Sequence, residues 1–174
     1  MPVLVFDPPP AELEALLERR RRWGADRHDE VWEGVLHVIP LPSVEHERLV
    51  IKLCRLLGPH ADAAELEITG GIGIGADKAD YRVPDLTLLR AGYKPQWNDT
   101  AALVVEIVSP QDKSRDKLPF YAAHDVDEVV IVDPAKRTVD WLARVGERYE
   151  PTARSGLIDL GPERLAEQLD LLAH

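Results

Sequence analysis

Two carboxylates set in apolar strands are the residues best suited to chemistry. Asp85 follows Pro84 at the start of the apolar run Leu86–Leu89, and Glu106 interrupts a Val-Val-Glu-Ile-Val run. A carboxylate inside an apolar strand is costly to bury unless it is paired or bound to a metal. Two such carboxylates on neighbouring strands can share one Mg²⁺, and the backbone carbonyl of Ile107 could add a third oxygen ligand. A nearby lysine would orient or deprotonate the attacking water and offset charge that develops on a phosphate.

The elements that must position these carboxylates follow from the hydrophobic periodicity. Apolar residues at helical spacing predict helices, and short apolar runs bounded by turn residues predict strands. The predicted order is a helix from Ala11, a hairpin turning at Glu33-Gly34, a helix capped by Ser43 and ending at Gly58-Pro59, strands Asp85–Leu89 and Ala101–Val108, a helix Ser114–Ala123, strands Glu128–Val132 and Val139–Ala143, and a helix Pro162–Leu172. A helix between two buried strands predicts an α/β fold with a sheet of mixed direction.

The composition is that of one ordinary globular domain. The chain has 174 residues, of which 45% are hydrophobic and 30% charged, and this length fits a single core. The apolar runs are too short to span a bilayer, and the first residues lack a signal-peptide pattern. The one cysteine, Cys54, excludes an internal disulfide. We therefore expect a cytoplasmic protein with no membrane partner.

The formal net charge of −10 bears on any nucleic-acid hypothesis. An acidic chain is repelled by phosphate unless its positive charge is gathered locally. Arg19–Arg22 is a run of four arginines at the end of the first predicted helix. These arginines either complement the negative end of the helix dipole, the explanation that we prefer, or form a patch that contacts phosphate.

Several motifs in a fixed order resemble the Uma2 family, formerly a domain of unknown function. They are Val83-Pro84-Asp85, Val104–Pro110, Ser114–Tyr121 and Val129–Asp133, preceded by Trp32-Glu33-Gly34, Pro42 and His46. The similarity covers roughly residues 31–145, between an N-terminal arm and helix (1–30) and a C-terminal strand and helix (146–174). It implies a single PD-(D/E)xK restriction-endonuclease-like domain over 1–174, with a mixed β-sheet core flanked by helices, an N-terminal helix and a β-hairpin.

The resemblance implies a role for each matching position. Asp85 corresponds to the first metal-binding carboxylate and Glu106 to the second, with Mg²⁺ or Mn²⁺ as the cofactor. The usual pattern of this fold has a lysine two residues after the second carboxylate, where this chain has Val108. The resemblance therefore implies that Lys117, on the following helix, is the catalytic lysine, with Lys113 as the fallback.

Three more residues are expected to support the site. The first core helix of this fold often adds a carboxylate or polar group, which implies Glu45 or His46. Tyr121 suits a core position with a hydrogen-bonded hydroxyl.

Most of these residues also have an ordinary structural explanation. Asp85 could simply begin a strand, His46 could make a polar contact, and Lys117 could form a solvated pair with Asp116 on an exposed helix face. An exposed lysine of that kind would contribute only about 0–1 kcal/mol to stability. Glu106 has the weakest alternative explanation because of the apolar strand around it.

Two functions from different classes compete. The first is a metal-dependent endonuclease that hydrolyses phosphodiester bonds of DNA through Asp85, Glu106 and Lys117. The second is a non-enzymatic nucleic-acid-binding or accessory protein on the same fold, which the acidic charge and the absent motif lysine favour. A cleft with positive walls around the three residues would favour the enzyme, and a flat acidic surface would favour its rival. No Gly-x-Ser-x-Gly motif or zinc-ligand cluster supports a small-molecule hydrolase.

We also expect a homodimer. The four tryptophans, Trp23, Trp32, Trp97 and Trp141, exceed what one small core needs, and tryptophan is enriched at protein interfaces. They could instead cap the core and its rim. Restriction-type enzymes cut two strands by pairing subunits, which agrees with the first interpretation.

Overall fold

Two mixed β-sheets and four α-helices make up the described part of the protein. The computed structural model describes residues 3–5, 11–95, 97–109 and 113–171. The helices are α1 (Ala11–Trp23), α2 (Val44–Ala63), α3 (Leu118–Ala123) and α4 (Pro162–Gln168), with a short 3-10 helix at Ser114–Lys117 before α3. The strands are β1 (Val3–Val5), β2 (Glu30–Trp32), β3 (Val35–Val38), β4 (Glu67–Thr69), β5 (Gly73–Asp77), β6 (Asp80–Arg82), β7 (Leu86–Leu89), β8 (Trp97–Asn98), β9 (Leu103–Ile107), β10 (Glu128–Asp133), β11 (Thr138–Val145) and β12 (Arg148–Pro151).

One sheet, which we call the central sheet, contains the strands of both predicted carboxylates. Its order is β12-β11-β10-β9-β7-β4. Strands β9 and β10 run parallel, and the other neighbouring pairs are antiparallel. All five residues of β9 are buried, as its apolar sequence predicts for a central strand. Because two parallel strands need a crossover, the chain passes through the 3-10 helix and α3 between β9 and β10.

The other sheet, which we call the N-terminal sheet, has the order β1-β3-β2-β6-β5-β8. It contains the predicted hairpin, in which β2 pairs antiparallel with β3 around Glu33-Gly34. Both turn residues have positive φ, as a tight two-residue hairpin requires. Strand β1 pairs with β3 within the region predicted as an arm, since a three-residue strand gives too short a pattern to recognise.

The central sheet separates two hydrophobic clusters. On one face, Leu57 of α2 packs with Val105 of β9. On the other face, Tyr121 of α3 packs with Val104. Because side chains alternate along a strand, Glu106 shares the face of Val104 and lies on the side of α3.

Helix α2 continues past the point where the sequence predicts its end. Its start is as predicted, because the Ser43 side chain caps it by accepting a hydrogen bond from the backbone N–H of His46. The predicted stop at Gly58-Pro59 is wrong. Pro59 lies within the helix on its exposed side, while Ala61 beyond it is fully buried and holds the last turn against the core. A proline on the solvent side removes one backbone hydrogen bond without opening this packing.

Two other helices differ in extent from their predictions. The segment Ser114–Ala123 is divided into the 3-10 helix and α3, and Pro119 lies in the first turn of α3, where proline is tolerated. Helix α4 ends at Gln168 because Asp170 adopts a φ of 58°, and the predicted end at Leu172 lies outside the described residues. Among the described residues, no helix combines the length and the apolar character needed to cross a bilayer.

A buried carboxylate in β10 fastens the C-terminal segment to the central sheet. Glu128 is 3% exposed. It accepts hydrogen bonds from Trp141 Nε1 at 2.7 Å, from Ser155 Oγ at 2.5 Å and from the backbone N–H of Gly156 at 2.6 Å. These three donors satisfy the carboxylate, so its burial has a structural explanation.

Replacement of Glu128 by alanine should lower the free energy of unfolding by about 2–4 kcal/mol, because it leaves these buried donors without an acceptor. Urea denaturation followed by circular dichroism measures the change. Glu150→Ala, at a half-exposed position of β12, is the matched control and should alter stability by no more than about 0.5 kcal/mol. Equal stability of the two variants would contradict this role of Glu128.

Candidate active site

The register of β7 and β9 brings the two predicted carboxylates together. Leu86 pairs with Val105 in the antiparallel ladder, so the next positions, Asp85 and Glu106, come opposite each other. Both side chains line one cavity of about 860 Å³. Like charges directly opposite each other on adjacent strands are destabilising, so this arrangement needs a compensating cation.

Glu106 is the buried centre of the site. It is 3% exposed. Lys117 Nζ lies 3.0 Å from each of its carboxylate oxygens, and the hydroxyl of Tyr121 donates a further hydrogen bond to it. The chain turns through the 3-10 helix and α3 after β9, which returns both partners over the face that carries Glu106. The structure thus joins Glu106, Lys117 and Tyr121.

A third buried carboxylate, Glu30, belongs to the same cluster. Its side chain is 2% exposed and lies 2.8 Å from Lys117 Nζ. It also accepts hydrogen bonds of 2.8 Å from Trp32 Nε1 and from the backbone N–H of Val83. One ammonium therefore faces two buried carboxylates that come from different sheets.

Sequence reasoning missed Glu30, although a weak signal was present. Strand alternation places Glu30 and Trp32 on one face of the hairpin, and the tryptophan marks that face as partly buried. Three acidic residues, Asp29, Glu30 and Glu33, stand close together there. Asp29 and Glu30 are both buried, and composition alone does not show which of the three carboxylates meets Lys117.

Asp85 has two partners of its own. One carboxylate oxygen accepts a hydrogen bond of 2.7 Å from the backbone N–H of Ile107, and the other lies 3.0 Å from His46 Nε2. His46 therefore joins the site from the first turn of α2. The contact seen for Ile107 uses its N–H, and the predicted role of its carbonyl as a metal ligand stays a prediction.

Burial and charge set the protonation of the cluster. Burial acts to raise the pKa of the Glu106 carboxyl, and the charges of Asp85 and Glu30 act in the same direction, whereas the ammonium of Lys117 opposes them. Burial disfavours the ammonium form of Lys117, but Glu106 and Glu30 outweigh burial and hold the pKa of Lys117 well above its ordinary value. The hydrogen bond to Asp85 raises the pKa of His46. Lys117 is therefore a permanent cation in this environment.

The alternative explanation for Lys117, a solvated pair with Asp116 on an exposed helix face, is wrong. Its side chain is only 12% exposed, because the 3-10 helix points it at Glu106 and Glu30 rather than at water. Lys113 is exposed at the cavity wall, with its Nζ 5.8 Å from the ring centre of Trp32. Glu45 also lines the cavity but is exposed. The structure therefore groups Lys117 and His46 with the carboxylates and leaves Lys113 and Glu45 at the margin.

The charge of the cavity wall is mixed. Its acidic lining residues are Glu30, Glu45, Glu47, Asp85 and Glu106. Its basic lining residues are Arg27, Lys113 and Lys117, and three histidines, His28, His37 and His46, also line it. The site is a recessed cavity rather than a flat acidic surface, and its wall contains both acidic and basic groups. This arrangement matches neither of the two extremes expected from the sequence.

Comparisons with known proteins found one family and similar solved structures. A family model described as "Uma2: Putative restriction endonuclease" matches residues 11–171. Among solved structures, the chain is similar to one described as "a putative nuclease belonging to DUF820 from Anabaena variabilis ATCC 29413", with a TM-score of 0.59, 16% identity and coverage of 81% of this chain and 90% of that chain. It is also similar to a chain of the DrdV–DNA complex, with a TM-score of 0.39, 16% identity and coverage of 72% of this chain and 13% of that chain.

A search among proteins with curated descriptions found no match.

The predicted α/β fold with its mixed sheet, flanking helices, N-terminal helix and hairpin is confirmed.

Replacement of Lys117 by alanine should lower the free energy of unfolding by about 3–5 kcal/mol, because Glu30 and Glu106 would then be buried together without a cation. A urea titration at neutral pH measures this loss. Lys113→Ala removes an exposed lysine four positions earlier and should change stability by no more than about 0.5 kcal/mol. An unchanged urea midpoint for Lys117→Ala would contradict the buried pairing.

Proposed function

The chain belongs to the Uma2 family, and from this premise we propose that it is a Mg²⁺- or Mn²⁺-dependent endonuclease that hydrolyses phosphodiester bonds of DNA. One observation carries the proposal above all. Three buried or partly buried carboxylates, Glu30, Asp85 and Glu106, line one cavity, and Lys117 pairs with two of them, Glu30 and Glu106. This excess of negative charge is expensive to keep inside a protein and is typical of functional sites.

The donor set suits a hard divalent cation. Asp85 and Glu106 supply oxygen ligands, and Mg²⁺ is commonly held by one or two carboxylates while it keeps several waters. Among the described residues, no group of three or more His, Cys, Asp or Glu is arranged to enclose a metal. A cation at this wall would therefore depend on water and on substrate phosphate for its remaining ligands. It would also compete with Lys117 for the oxygens of Glu106, both of which lie 3.0 Å from Nζ.

When bound there, a divalent cation would polarise the scissile phosphate and lower the pKa of a coordinated water. The protein's own groups have separate tasks. Lys117 cannot readily accept a proton, because Glu106 and Glu30 hold its pKa well above the ordinary value. We therefore assign Lys117 the task of stabilising negative charge on the phosphate, and not that of general base. His46 holds one oxygen of Asp85 and so orients this carboxylate.

The non-enzymatic alternative keeps one specific observation in its favour. Lys117 already occupies both oxygens of Glu106, which makes the cluster self-sufficient as an internal ion pair. The net charge of −10 also disfavours tight binding of phosphate. On this alternative the same fold would bind nucleic acid, or serve as an accessory protein, without cleaving it.

The homodimer and the cytoplasmic location stay predictions from the sequence. Three of the four tryptophans have partners within the chain: Trp141 is buried against Glu128, Trp97 packs on Tyr81, and Trp32 stacks on His37. Only Trp23 is strongly exposed, at 74%, so the tryptophan argument for a dimer now depends on that residue. The molar mass from light scattering tests the dimer.

Purified protein should cut DNA in the presence of Mg²⁺ or Mn²⁺ and should be inactive in EDTA. Glu106→Gln and Asp85→Asn should each reduce the rate at least about a hundredfold, because each removes a charged ligand at the reacting phosphate. Glu150→Gln, at an exposed carboxylate of β12, is the matched control and should keep the parental rate. Metal-independent cleavage, or full activity of Glu106→Gln, would refute the proposed site.

Mn²⁺ should also raise the melting temperature of the protein, since a ligand that binds only the folded state stabilises it by about 2.7 kcal/mol at a hundredfold excess over its Kd. The rise should be absent in Asp85→Asn. Differential scanning calorimetry with and without Mn²⁺ measures this shift in melting temperature, and the measurement does not depend on DNA cleavage. A melting temperature that responds equally in the parent and in Asp85→Asn would place metal binding elsewhere.

A further inference from the structure

The most basic stretch of this acidic chain lies beside the cavity. Residues 19–28 read Arg-Arg-Arg-Arg-Trp-Gly-Ala-Asp-Arg-His, with five arginines and one aspartate and hence a formal charge of +4, whereas the whole chain carries −10. We call this segment the basic rim. A local concentration of positive charge is what an acidic protein needs in order to approach phosphate.

Arg20 fixes the basic rim to the wall of the cavity. It is turned inward, where its guanidinium pairs with Asp29 at 2.7 Å and donates to the backbone carbonyl of Ile39 at 3.0 Å. Ile39 itself lines the cavity. The end of α1 is therefore attached to a chain segment that lines the cavity.

The other arginines of the basic rim are exposed, and one of them reaches the cavity. Arg27 and His28 both line it. Arg27 lies beside Gly24, which adopts a φ of +65° that other residues rarely adopt, and a Cβ at this position would lie 3.3 Å from Arg27 Nε. Positive charge thus continues from the end of α1, across this glycine, to the cavity that contains Glu106.

Trp23 gives the basic rim a flat apolar surface. It is 74% exposed, and the guanidinium of Arg19 lies 6.0 Å from its ring centre. An aromatic ring that is left in water beside several arginines has the composition of a platform for single-stranded nucleic acid, on which a base stacks while cations follow the backbone. The bases of an intact duplex are already stacked on each other and do not offer such a face.

We propose that the basic rim binds an unpaired DNA strand, with a base stacked on Trp23 and the backbone guided by Arg19, Arg22 and Arg27 toward the cavity. The depth of the site supports a single strand over a duplex. Glu106 is 3% exposed and the Lys117 side chain is 12% exposed, so a phosphate must enter a recess of the cavity to reach them. A flexible single strand can place a phosphate there more readily than a stiff duplex. The inference deepens the proposed nuclease function by naming its substrate class.

Fluorescence anisotropy in EDTA tests the inference without any cleavage. A labelled single-stranded oligonucleotide should bind at least tenfold more tightly than the duplex of the same sequence. Trp23→Ala should weaken binding of the single strand about tenfold. Arg22→Ala should reduce the slope of log affinity against log salt by about 0.7, the value expected for one lost phosphate contact to a single strand.

Two surface variants are the matched controls. Tyr93→Ala removes another half-exposed aromatic ring, and Arg148→Ala removes another exposed arginine, on β12. Both should bind the single strand as the parent does. The two basic-rim positions and the two control positions are all exposed, so the four variants should keep melting temperatures near the parental value. Any loss of binding then reflects a lost contact with the DNA strand and not a loss of folding.

Three results would overturn the inference. The first is a duplex that binds as tightly as the single strand, and the second is a set of basic-rim variants that bind like the controls. The third is a Trp23→Ala variant whose affinity for the single strand is unchanged while its molar mass by light scattering is halved. That result would show that a second copy of this chain covers the ring. The proposed function fails separately. Binding by the basic rim without cleavage under any metal would count against the nuclease alone, and cleavage that survives Trp23→Ala with unchanged affinity would count against the basic rim alone.

Discussion

The arrangement of the protein depends on one ammonium group held between buried carboxylates. Lys117 Nζ lies 2.8 Å from Glu30 and 3.0 Å from Glu106, so it connects β2 of the N-terminal sheet to β9 of the central sheet. An isolated carboxylate is not stable in such an interior, and two of them without a cation are less so. Arg82 reinforces the same junction, because its guanidinium lies 4.5 Å from the ring centre of Trp32 and 4.0 Å from that of Phe120. Two cations, Lys117 and Arg82, therefore contribute to the junction between the two sheets.

Two of the three carboxylates of the site could be predicted from the sequence, because a carboxylate is conspicuous beside or within an apolar strand. Glu106 stands out within a Val-Val-Glu-Ile-Val run, and Asp85 begins the neighbouring apolar strand. Glu30 could not be found in the same way, since it lies in a short strand with other acidic residues nearby, and its contacts with Lys117 and Val83 join segments that are distant in the sequence. The burial of Lys117 was equally hidden, because helical periodicity does not reveal which sheet a 3-10 helix will face. Local sequence thus predicts the elements, whereas the neutralisation of charge depends on contacts between distant segments.

The acidic composition is compatible with the proposed reaction, because the positive and negative charges that matter to a substrate lie in different parts of the protein. The carboxylates that could hold a cation are recessed, while the arginines of the basic rim stay in water apart from Arg20. Exposed cations act at long range on an approaching strand, and buried groups act only at contact. Net charge alone therefore says little about the surface that a substrate would meet first. The same arginines also complement the negative end of the α1 dipole, so the two explanations offered for them do not exclude each other.

The pairing of Lys117 has a consequence for the order in which the chain folds. Its contact with Glu106 spans 11 residues, and the contact of Tyr121 with Glu106 spans 15 residues, so both close small loops at low entropic cost. The contact with Glu30 closes a much longer loop, although Glu30 leaves the ribosome long before Lys117 does. When only the hairpin has been synthesised, Lys117 is not yet part of the nascent chain. The carboxylate of Glu30 therefore stays hydrated at that stage. The final contact between Glu30 and Lys117 can therefore form only after the crossover between the parallel strands has been synthesised.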